Sequence, residues 1–60
     1  MGKHHLETLI RELFFHWSAD EAFNMNVTII DSLEHNNKIS HDLALYALKL
    51  AKAYHDLMEV

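Results

Sequence analysis

Apolar residues recur along this chain at spacings of three and four rather than two, which is the period of helices and not of strands. Leu6, Leu9, Ile10, Leu13, Phe14 and Trp17 form one stripe, with Glu7, Thr8, Arg11 and Glu12 opposite. The pattern predicts a first helix over about residues 4–17. Ser18-Ala19-Asp20-Glu21 then reads as a capping box, in which a serine hydroxyl and a glutamate carboxylate satisfy amides that the first helical turn leaves free. A second helix, about residues 19–35, therefore begins anew, with Ala19, Phe23, Asn26, Ile30 and Leu33 in heptad spacing and Ala22, Met25 and Ile29 beside them.

Asn36-Asn37-Lys38 supplies the turn, because asparagine tolerates the left-handed conformation that ends helices when glycine is absent. Ser40 caps a third helix, about residues 41–58, and Asp42 puts negative charge where the helix dipole favours it. Its predicted stripe is Leu43, Ala47, Leu50, Tyr54 and Leu57, widened by Tyr46, Ala51, Ala53 and Met58. The expected fold is all-α: one domain, a short helix followed by an αα-hairpin.

Composition adds a question of stability. Sixty residues bury only about 60% of the surface of the unfolded chain, and domains this small usually need disulfides, a metal or a partner. With no cysteine, disulfides and thiolate metal sites are excluded. A homodimer is the expected remedy. The formal charge of −4, with five scattered basic residues, offers no footprint for a phosphate backbone, so nucleic acid is an unexpected partner. No apolar run approaches the roughly 18 residues that span a bilayer, and the start of the chain lacks a signal peptide's apolar segment. The expected compartment is the cytoplasm, with no membrane association.

The residues that break the pattern carry the functional expectation. Phe15 falls opposite the first stripe, and Leu45 and Leu48 project from the polar side of the third helix beside Lys49, Lys52 and Asp56. Apolar groups so placed suit a partner interface. Asn26 interrupts the second stripe; in two-stranded coiled coils such an asparagine sets register by pairing with its symmetry mate, so it joins the candidate interface.

Six histidines raise the question of a metal. Glu12 with His16, and Asp31 with His35, are carboxylate–histidine pairs one helical turn apart, but they lie at the edges or outside of the stripes. His55 is placed on the polar side of the third helix. No metal site and no cofactor is expected. Nor is an enzyme: cysteine and phosphate-binding glycine loops are absent, two serines are helix caps, and His41-Asp42 and His55-Asp56 are neighbours that should point about 100° apart.

Between Ile30 and Tyr54 the chain is loosely similar to the C-terminal hairpin of small enterobacterial acid-resistance and biofilm regulators. The shared features are Ile30-x-x-Leu33-Glu34, a short polar turn, and Asp42 followed by leucine and tyrosine at helical spacing. The resemblance implies a helical, dimeric connector protein. Together these readings point to a small non-enzymatic regulatory or adaptor protein of bacterial or phage type, acting through protein–protein contacts. The alternatives are a helix-turn-helix nucleic-acid-associated regulator and a histidine–carboxylate metal-binding bundle.

Overall fold

The computed structural model describes residues 1–59. Three helices follow one another: α1 (Lys3–His16), α2 (Ala19–His35) and α3 (His41–Met58). Glu7 and Phe14 of α1 meet Tyr46 and Tyr54 of α3 in the same order, so α1 and α3 run parallel. Glu34 and Asp20 of α2 meet His41 and His55 in reverse order, which makes α2–α3 an antiparallel hairpin. The ends of α1 and α3 and the start of α2 therefore share one end of the bundle.

The two serine caps form. The Glu21 amide donates to Ser18 Oγ at 3.4 Å and the Leu43 amide to Ser40 Oγ at 3.1 Å. The Glu21 carboxylate accepts from the Ser18 hydroxyl rather than from the backbone amide that a full capping box would use. Asn37 takes the left-handed conformation, at φ 59°, while the Lys38 amide donates to Leu33 O and the Asn37 amide to Glu34 O. This pair of bonds is a Schellman stop. Ile39 follows it and is buried, as is Ala44. These are the positions flanking the Ser40 cap that a hydrophobic staple occupies.

Phase is where the helices depart from the sequence expectation. Trp17 leaves the first stripe: at φ −131° and ψ 160° it is the extended residue that closes α1, and it is largely exposed. In α2 the buried line is Ala22, Asn26 and Ile30. In α3 it is Ala44, Ala47 and Ala51, with Leu43, Leu50 and Tyr54 on one side and Leu48 on the other. Ala53 is exposed and Leu57 is 74% exposed. The reason is volume. Leu6, Ile10 and Phe14 put large side chains into the centre from α1, and only a helix lined by methyl groups can approach them closely enough to fill the space.

Two residues of the expected interface sit deeper than their sequence positions suggest. Leu48 is half-buried and packs against the core rather than standing free. Asn26 is 1% exposed and its Nδ2 donates to the Ile10 carbonyl of α1 at 3.5 Å, so no symmetry mate can reach it. Whatever register Asn26 sets lies between α1 and α2 of one chain. The accessible surface, 4145 Å², matches the roughly 4,000 Å² typical of a monomer of this mass. One chain thus closes its own core.

At the turn, His41 Nδ1 lies 2.6 Å from Glu34 Oε2 and bridges α3 to α2. The Glu34 hydrogen bond, then its charge, raise the His41 pKa above the ordinary value, with a smaller push from Asp42. A raised folded-state pKa means that the bridge stabilises the fold below the unfolded pKa of about 6.5 and fades as pH rises through the folded value. His41→Gln should therefore lower the melting temperature at about pH 5.5 and change it little at about pH 8.5, read by thermal circular dichroism against the parent. An equal deficit at both pH values would show that the charge on His41 is irrelevant.

Candidate functional site

Both features that stand out lie at the end of the bundle shared by the close of α1, the start of α2 and the close of α3. The first is apolar. Phe15 is 72% exposed, and Trp17, Leu57 and Met58 are also solvent-facing. Glu7 accepts a hydrogen bond from the Tyr46 hydroxyl, and Phe14 stacks on Tyr54 with ring centroids 5.6 Å apart. Glu7, Arg11 and Phe15 succeed one another at helical spacing on α1, as Tyr46, Leu50 and Leu57 do on α3. Phe15 and Leu57 therefore lie toward the same end of the bundle.

Leu45 is exposed, as expected, but it lies elsewhere. Twelve residues of α3 separate it from Leu57, about 18 Å of helix, and it shares the outer face with Lys49 and Lys52. The sequence-selected residues are thus not one surface: Phe15 and Leu45 are at opposite ends, Leu48 is half in the core, and Asn26 is inside. Trp17, Leu57 and Met58, which the stripes had assigned inward, are the neighbours of Phe15 at that end.

The second feature centres on His55, which is half-buried, its side chain 18% exposed, rather than on the polar side of α3. Its ring packs on Phe23 at 5.4 Å between centroids. Nε2 lies 2.8 Å from Asp20 Oδ1, across from α2, and 3.0 Å from Oε2 of Glu59, the residue that caps the end of α3. Nδ1 lies 3.4 Å from Asp56 Oδ1, so these sequence neighbours do meet. The hydrogen bond to Asp20, followed by that to Asp56, raises the His55 pKa against the opposing pull of burial. The Asp56 carboxyl is held below its usual range, first by Lys52, whose Nζ is 2.9 Å away.

His55 and Glu59 have the same one-turn spacing as the pairs singled out from the sequence, but Asp20 comes from α2, so spacing along one helix does not show the cluster as a whole. The signal was present in the lengths: α2 and α3 have 17 and 18 residues, so an antiparallel hairpin sets the first turn of α2 beside the last turn of α3. Of the pairs that spacing did suggest, Glu12 and His16 stand 3.9 Å apart on open surface. The depression beside Asp31 and His35 is shallow and open to solvent. Among the described residues no helix is long and apolar enough to cross a membrane.

No protein-family model, curated protein or solved structure matches this chain.

Proposed function

We propose that this chain is a small, cytoplasmic, non-enzymatic regulatory or adaptor protein that acts by docking the apolar end of its bundle onto another protein surface, in the first instance that of a second copy of itself. The observation that carries this reading is the exposure of Phe15, with Trp17, Leu57 and Met58 at the same end, on a domain whose core is already filled. Exposed apolar groups that the fold does not need, gathered rather than scattered, mark contact surfaces. Leu45 offers a separate contact on the outer face of α3.

The rim of this end is acidic, with Asp20, Asp56 and Glu59 around His55. Two copies meeting there repel through these charges, so salt should strengthen the association rather than weaken it. Trp17 is the single tryptophan and reports directly on the surface. Its emission should shift to shorter wavelength as protein concentration rises, more so at high salt, and Phe15→Ser with Leu57→Ser should abolish the shift. Emission independent of concentration in the parent would refute self-docking at this end.

The helix-turn-helix alternative gains no supporting observation. The first turn of α3 presents His41 tied to Glu34, followed by Asp42, where a recognition helix presents base-reading donors.

A further inference from the structure

The imidazole of His55 has more carboxylate around it than one ring can satisfy. A ring nitrogen carries at most one proton, aimed in one direction. Two carboxylate oxygens nevertheless converge on Nε2, Asp20 Oδ1 at 2.8 Å in a hydrogen bond and Glu59 Oε2 at 3.0 Å as an ion-pair contact. One ligand atom each from Asp20, His55 and Glu59 lie within 4.8 Å of one another. Zinc, with bonds of about 2.0–2.2 Å, holds tetrahedral ligand atoms about 3.3 Å apart, so each carboxylate oxygen has to draw back from Nε2 by only about half an ångström or less to admit an ion between them.

Three further features fit a cation rather than an accidental acidic patch. His55 lies in the last turn of α3 and Glu59 caps that helix, its carboxylate turning back to 3.0 Å from Nε2, while Asp20 arrives from the first turn of α2. Asp56 takes Nδ1 of the same ring, the outer carboxylate that orients a metal-bound imidazole and fixes its tautomer. Phe23 closes one side of His55 with apolar surface, lowering the local dielectric and strengthening ion binding.

We propose that Asp20, His55 and Glu59 form a binding site for a first-row divalent metal ion such as Zn²⁺, ligated through His55 Nε2 and the two carboxylates, with Asp56 holding Nδ1–H. Two carboxylates balance a doubly charged ion, and a nitrogen ligand favours zinc over magnesium or calcium. Three protein ligands leave a fourth position to water. The ion ties the first turn of α2 to the last turn of α3, clamping the open end of the hairpin opposite the Asn37 turn.

Calorimetric titration of the full chain with Zn²⁺ at neutral pH tests this, alongside Glu59→Gln, Asp20→Asn and the double variant His4→Gln/His5→Gln. Asp20 and Glu59 are exposed, so their amide variants should keep the fold, as circular dichroism will verify. The expected result is one ion per chain, weakened at least about 10-fold by either amide variant and by Asp56→Asn, but unchanged by the double histidine variant. The melting temperature should rise with Zn²⁺, fall back with chelator, and not respond to Ca²⁺ at the same concentration. Equal binding by parent, Glu59→Gln and Asp20→Asn would overturn the proposal. So would binding lost only with His4 and His5, or no binding up to about 1 mM, a limit corresponding to about −4 kcal/mol.

Discussion

Asn26→Asp is expected to leave the chain largely unfolded at pH 7 and to regain helix as the pH falls. The exchange hardly changes shape, so packing among Ile10, Ala22 and Ile30 is preserved. What changes is that a buried donor facing the Ile10 carbonyl becomes a carboxylate facing it. A buried charge without a partner costs about 3–5 kcal/mol. The whole stability of a domain this small is about 3–5 kcal/mol. The penalty attaches to the ionised form, so the folded-state pKa of the new carboxyl is raised. Stability relative to the parent then recovers as pH falls through that value and a protonated carboxyl can again donate to Ile10 O. Far-ultraviolet circular dichroism of both proteins across the acid range reads this directly. Asn26→Leu is the companion: the Ile10 carbonyl keeps its place in the α1 ladder, and the change should stay within about 1.5 kcal/mol. A well-folded Asn26→Asp variant at pH 7 would mean that residue 26 reaches water.

The second large effect is expected at Ala47. This residue is fully buried at the centre of the Ala44–Ala47–Ala51 line that receives Leu6, Ile10 and Phe14. Leucine there has no space and must push α1 or α2 away, typically at a cost of about 1–3 kcal/mol and sometimes more. Against the same small total, Ala47→Leu should lower the urea midpoint sharply and loosen the tertiary packing seen in near-ultraviolet dichroism. Ala53→Leu, on the exposed side of the same helix, should stay within about 0.5 kcal/mol. Equal tolerance at the two sites would show that the alanine line is not the contact face.

These two sites also show what a single sequence could reveal. The helix starts were legible because a cap is local: Ser18 and Ser40 announce themselves by their own neighbours. The Asn37 stop was legible for the same reason. The rotation of each helix was not, because it depends on what the other helices bring. Leucines and alanines surround α3 on several sides, and only the bulk of α1 decides that the alanines turn inward while Leu57 is left outside. Asn26 shows the same limit. Its place in the stripe was right, but whether it pairs with a symmetry mate or with Ile10 depends on where α1 lies. The exposure of Phe15 was legible because it opposes its own helix's stripe, whereas the gathering of Asp20, His55 and Glu59 was not, because Asp20 comes from a different helix.

The claim that the apolar end of this bundle is a docking surface is tested most directly by sedimentation velocity of the full chain across a concentration series, with chelator present so that metal binding plays no part. The expected result is a monomer that becomes a dimer with a midpoint in the micromolar range, the strength of a modest interface, and a Phe15→Ser/Leu57→Ser variant that stays monomeric with its helix content intact. A parent chain that sediments as a monomer at every concentration up to about 500 µM, or a serine variant that dimerises as the parent does, would contradict it.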